Sequence, residues 1–195
     1  MTAGSKGDVK QKNEKTVADY LSDMQAVESH IEEALDHQLG MFKDLPDVSA
    51  AVKEFHDMVR SQRDAVSALL EKEPEEPKTA GVKDAGAALL GKAAGLIDMI
   101  RTESESKALR DDYTAFNLAA ISYTMLYTTA AALDDAKVRD LAERHLRGYA
   151  KAVQRINHLI PQVVLQELQK DGHVTDSGVV TAARKMIDEA WKETA

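Results

Sequence analysis

Between residues 17 and 39 the apolar side chains Val17, Leu21, Met24, Ile31 and Leu35 recur at steps of three and four. That spacing lines them along one face of an α-helix. Glu28 falls on the same face, between Met24 and Ile31. A carboxyl in an apolar stripe needs a partner, because burying a lone charge is costly. The next helix is predicted over 48–70, with Val52, Phe55, Val59, Val66 and Leu69 inward, Gln62 as its polar interruption and His56 beside the stripe. Leu45-Pro46-Asp47 reads as the turn before it, with Asp47 or Ser49 as its cap.

The proline-bearing charge run EKEPEEPKTA over 71–80 reads as a solvated connection, and 82–102, rich in Gly and Ala, as a short crossover helix. Residues 107–133 carry almost no charge after Asp112 and predict a helix buried on most faces, with Phe116, Ala119, Tyr123, Leu126 and Ala130 innermost. Asp134 and Asp135 mark a break and can cap the helix that follows. That helix starts near 137, with the stripe Val138, Leu141, His145, Gly148 or Tyr149, Ala152, Ile156 and Leu159. Pro161 is expected to kink or restart it. A last amphipathic helix is predicted from about 176, with Val179, Val180, Ala183, Ile187 and Trp191 on one side. Residues 1–15 are polar and read as disordered, 16–170 as one helical domain, and 171–195 as a C-terminal helix packed on it.

Composition narrows the classes of function. Hydrophobic residues make up 44% and charged residues 30% of 195, which suits one globular helical domain with its own core. The net charge of −8 argues against general nucleic-acid binding, which needs clustered Lys and Arg. With no cysteine, disulfides, thiol catalysis and thiolate metal sites are excluded. No apolar run reaches the ~20 residues that span a bilayer, and the polar N-terminus lacks the apolar core of a signal peptide. A cytoplasmic protein without a membrane partner is the expectation. No phosphate-binding glycine loop occurs, and Ser122 has no recognisable base.

Two helical hairpins joined by a crossover give the connectivity of ferritin-like four-helix bundles. The stretches DYLSDMQAVESHIEEAL, FHDMVRSQRDAVSALLE, GKAAGLIDMI and AISYTML carry a resemblance to that superfamily, and to its stress-associated YciE/YciF-type family, over residues 17–159. The resemblance implies a four-helix bundle, often dimeric, with a dinuclear metal site at mid-height. Glu28 stands at the acidic position of the first helix, Gln62 at a glutamine of the second and Tyr123 at an inward tyrosine of the third. Elsewhere the chain departs from the pattern: Phe55 stands for a histidine, Ala119 for a glutamate, and Gly148 and Tyr149 for the acidic cluster of the last bundle helix. No Glu-x-x-His occurs in the second or last bundle helix.

The inner stripes therefore hold one carboxyl, Glu28, with Gln62 and His145, and the phenols Tyr123 and Tyr149. A di-iron site needs about four carboxylates and two histidines. The residues admit a buried hydrogen-bond network that fixes helix register, or a weak iron or manganese site using Glu28, Gln62 and His145, which the resemblance would make a divergent metal-binding member of oxidase or ferroxidase type. The first is the reading adopted, and it gives a non-catalytic structural or interaction protein without a cofactor. Glu32, Glu33, Asp36 and His37 read as a solvated face, within which Glu33 and His37 are spaced to hold a surface cation. His30 and His56 are expected to meet neighbouring acids or solvent, and Asp111-Asp112 to favour a helix N-terminus by charge. Tyr113, Tyr123 and Tyr127 read as packing. Overlapping helix pairs and the apolar helix over 107–133 make self-association the expectation, as a homodimer or another assembly, alongside a protein partner that the sequence does not name.

Overall fold

The interior is assembled from the same stripes. Val17, Leu21, Met24, Ile31 and Leu35 are all buried, as are Val52, Phe55, Val59 and Val66, the five inner residues of the third stripe, and Leu141, Tyr149, Ala152 and Ile156. The computed structural model describes residues 4–71, 104–172 and 178–192. Every regular element within them is a helix: α1 (Gly4–Gln38), α2 (Pro46–Leu70), α3 (Glu105–Ala132), α4 (Ala136–Lys170) and α5 (Val179–Lys192). The expected connection after Glu71 and the crossover helix over 82–102 lie outside the described residues. No described helix is long and apolar enough to cross a membrane.

Short turns make α1 and α2 one antiparallel pair and α3 and α4 another, and the pairs meet through α1 on α3 and, less extensively, α2 on α4. Phe116 of α3 locks this arrangement. Its ring lies edge-on to Phe55 of α2, with centroids 5.3 Å apart, and 5.6 Å from Tyr149 of α4. One buried ring thus touches both neighbouring layers.

Several boundaries differ from the sequence reading. The first helix starts at Gly4, well before residue 16, because 4–15 holds good helix formers and one Lys10–Glu14 pair at helical spacing. Pro46 opens α2 directly: its fixed φ suits the first turn, and Leu45 precedes it without a side-chain cap. Asp47 therefore sits inside the first turn and does not cap it. The start of α3 is held by Ser104, whose Oγ accepts from the Lys107 amide, and by Glu167 of α4, which accepts from the Ser106 amide at 2.8 Å and the Ser106 hydroxyl at 2.6 Å. A carboxylate from one helix thus satisfies the open donors of another. Asp135 caps α4 through the Val138 amide, with Asp134 at φ 62 before it.

α4 continues through Pro161 without a restart. Proline removes one helical donor there. One turn back, the His158 carbonyl accepts from Arg184 of α5 at 2.8 Å. Arg184 also reaches Gln162, and His158 faces Asp188 at 2.9 Å. These polar contacts join α5 to α4, Val180, Ala183 and Ile187 of the predicted stripe are half-buried, and no α5 residue is fully buried. α3 also departs from expectation: it is not buried on most faces, since Leu118, Ile121 and Met125 stand on its exposed side.

Candidate functional site

Glu28 is fully buried where α1, α3 and α4 converge. The phenol of Tyr123 lies 2.6 Å from Glu28 Oε1, and that of Tyr149 3.3 Å from the same oxygen. His145 Nδ1 is 2.8 Å from the Tyr123 oxygen and 3.7 Å from Glu28 Oε1. The Tyr123 ring is edge-on to His145 and stacked on Tyr149. Helical spacing explains the convergence: Glu28 replaces an apolar residue in the α1 stripe, and His145 and Tyr149 are one turn apart on α4.

Burial dominates the electrostatics. It pushes the Glu28 carboxyl up to about 8, against the phenol hydrogen bonds and the pull of Arg63, which favour the charged form. Burial, helped by Arg144, pushes His145 down to about 4. Both phenols are raised, first by burial and then by Glu28. At neutral pH the group is therefore uncharged. Tyr123 has one proton and two neighbours, so the chain has two self-consistent orders. With Glu28 protonated, Glu28 donates to Tyr123 and Tyr123 donates to His145 Nδ1. With Glu28 ionised, Tyr123 donates to the carboxylate and Nδ1–H donates to Tyr123. Loss of the Glu28 proton is thus coupled to the tautomer of His145.

Gln62 does not join this group. It makes no hydrogen bond to Glu28, and its amide packs against α4 at Gly148. A Cβ on Gly148 would lie 2.6 Å from Gln62 Nε2 and 3.1 Å from Met58 Sδ, both ends of flexible side chains. Gly148→Ala is expected to move stability by no more than about 1 kcal/mol, since helix propensity gained offsets the displaced amide. Chemical denaturation checks this, and a loss above that size would show Gln62 fixed in place. Glu28 Oε2 and Gln62 Oε1 are among the buried oxygens without a hydrogen-bond partner among the described residues.

Three further buried polar residues, Glu32, Gln38 and Asp112, were not anticipated, whereas His56 meets neighbouring acids as expected. Glu32, read as part of a solvated face, is buried and holds Arg60 at 2.9 Å together with Arg63, whereas Glu33, Asp36 and His37 are exposed. Asp112, read as a helix-start charge, is buried and accepts from Gln38 Nε2 at 2.8 Å. Burial, with the nearby Asp111, pushes it up to about 7. The signal was positional: Asp112 lies one turn before Phe116 on the α3 stripe, and Gln38 one turn after Leu35 on α1. His56 is buried, with Nε2 3.0 Å from Asp36 and Nδ1 3.5 Å from Asp57. It lines an open groove of about 700 Å³ at the α1–α2 turn with Lys43, Ser49 and Lys53. His30 differs from expectation, because neither ring nitrogen has a hydrogen-bond partner among the described residues.

A family model matches residues 13–169, a span that contains the whole site and stops before α5. The chain belongs to the DUF892 family, described as a domain of unknown function. Comparison with curated proteins and with solved structures gives no match. In this DUF892 chain, no group of three or more His, Asp or Glu side chains able to hold a metal ion gathers among the described residues.

Proposed function

We propose that this DUF892 chain is a ferritin-like four-helix bundle that acts as a non-catalytic structural or interaction protein, in stress physiology as its resemblance implies. A hydrogen-bonded chain of carboxyl, phenol and imidazole occupies the interior where the resemblance implies a pair of metal ions. The observation that carries this reading is the engagement of Glu28 Oε1 by Tyr123 and Tyr149, with His145 Nδ1 tied to the same phenol. One carboxyl and two phenols do not fit a dinuclear site, since they supply too little negative charge for two cations. The imidazole nitrogen that faces the carboxyl is already taken. Such a network, which engages Glu28 Oε1, both phenols and His145 Nδ1 without an ion, fixes how α1, α3 and α4 register.

A second reading has its own support. Glu28 Oε2 and Gln62 Oε1 are buried oxygens without partners, the kind of donor a single iron or manganese ion uses, with His145 as a third. Metal analysis separates the two. Protein purified with iron or manganese supplied is expected to carry far less than one ion per chain, and Glu28→Gln is expected to keep the fold. One bound ion per chain, lost on Glu28→Ala, would select the second reading.

A further inference from the structure

The outer face of α4 carries a row of basic side chains in a chain whose net charge is −8. Lys137, Arg144, Lys151 and His158 follow one another at steps of seven. They therefore share one helical face, at intervals of about 10.5 Å. Lys137, Arg144 and Lys151 are exposed, and among the described residues none of the three is in an ion pair. Arg147 and Arg155 flank the row and are already engaged, by Glu143 and by Glu54 of α2.

The last place of the row shows what such a row takes. His158 meets Asp188 of α5 at 2.9 Å, and its carbonyl accepts from Arg184. Arg184 also reaches Gln162, one turn further along α4. The apolar side of α5, through Val180, Ala183 and Ile187, is half-buried. An amphipathic helix thus sits on α4 and sets a carboxylate against the fourth place. The first three places have no such carboxylate.

We infer that the face of α4 from Lys137 to Lys151 is the docking surface for an acidic amphipathic helix of another protein, laid on α4 as α5 is and offering carboxylates at steps of seven. The inference rests on the reading of this chain as an interaction protein and adds the chemistry of the partner. Two packed helices keep register over seven-residue steps, so one partner helix can answer Lys137, Arg144 and Lys151 in turn. Asp140 and Glu143 stand among these cations. A helix of mixed charge can set a lysine against them, whereas a run of phosphates meets them with like charge. The acidic remainder of the chain also opposes a long nucleic acid or an anionic lipid sheet, both of which extend far beyond the row. The exposed residues of α4 along the row are polar apart from Ala150, so the attraction is chiefly electrostatic and is screened by salt.

Fluorescence anisotropy with the full chain tests this. The probe is an amidated alanine-based helical peptide of about three heptads with Glu at steps of seven, and its control carries Lys at those places. The acidic peptide is expected to bind at low salt and to be released as salt rises, and the control to bind at least about tenfold more weakly. Arg144→Glu combined with Lys151→Glu is expected to weaken the acidic peptide at least about tenfold, with circular dichroism unchanged because both positions are exposed. Arg144→Gln with Lys151→Gln, which adds no negative charge, should still weaken it several-fold and serves if the reversed pair folds poorly. The same reversal on α1, Lys10→Glu with Lys12→Glu, should leave binding within about twofold, since it lies outside the row. No binding of the acidic peptide at low salt overturns the proposal. So does binding that ignores Arg144 and Lys151, or tighter binding of duplex DNA or of phosphatidylglycerol vesicles than of the peptide. Metal analysis keeps the two readings apart. A chain with one bound ion that still takes the peptide refutes only the metal-free interior, and a metal-free chain that refuses the peptide refutes only this surface.

Discussion

Raising the pH from 6.5 to 8 is expected to lower the stability of the folded chain by about 2–3 kcal/mol, at about 1.4 kcal/mol per pH unit for each group that titrates. The sign follows from proton counting. Burial keeps Glu28 protonated up to about 8 and Asp112 up to about 7 in the fold, whereas the ordinary carboxyl values are 4.5 and 3.8. The folded chain thus holds protons that the unfolded chain has released, and linkage makes stability fall as pH rises through these windows. His145 acts oppositely. It stays neutral in the fold down to about 4 but would be protonated below 6.5 when unfolded, so between those values it adds stability as pH rises. It offsets one carboxyl there, and the offset ends at 6.5. Urea denaturation at pH 6.5 and 8 measures the loss. Glu28→Gln should remove most of it, since an amide keeps an acceptor for Tyr123 and has no proton to lose. Equal or greater stability at pH 8 in the wild-type chain would show that Glu28 is ionised in the fold.

Phe116→Ala is expected to cost about 3–5 kcal/mol, the range for emptying a fully buried aromatic position. Phe116 has no exposed surface and packs against rings from both α2 and α4. The loss would be a large share of the ~5–15 kcal/mol that holds a domain together. Phe116→Leu, which keeps most of the volume, should cost far less. Both follow from the midpoint of chemical denaturation. A loss under about 1 kcal/mol for the alanine variant would mean that α2 and α4 do not meet across this ring.

Apolar side chains announced their places through spacing alone. Phe116, Tyr123 and Leu126 share a helical face in the sequence, and all three have no exposed surface. Glu28 was legible for the same reason, as a polar residue inside an apolar stripe. Glu32 and Asp112 were not, because each lies in a run of charge where burial depends on a partner from another helix. Arg60 and Arg63 reach Glu32 from α2, and Gln38 reaches Asp112 from α1. Local pattern can place such a residue on a stripe, as it does Asp112 and Gln38, but does not name the partner on another helix. Gln62 failed in the opposite direction: its place on a stripe was right, but a glycine across the interface drew its amide towards α4 and away from Glu28. The outward apolar face of α3 was hidden for a related cause, since one helix with two uncharged faces looks the same in sequence whether a neighbour covers the second or not.

The attachment of α5 has a practical consequence. This helix grips α4 through a guanidinium on a backbone carbonyl and a histidine–aspartate pair, and contributes no buried residue. It also lies beyond the residues matched by the family model. α5 is therefore expected to detach before the rest of the bundle unfolds. A fluorophore, affinity handle or second protein grafted after Gly172 would ride on the molecule without disturbing the proton-sharing interior.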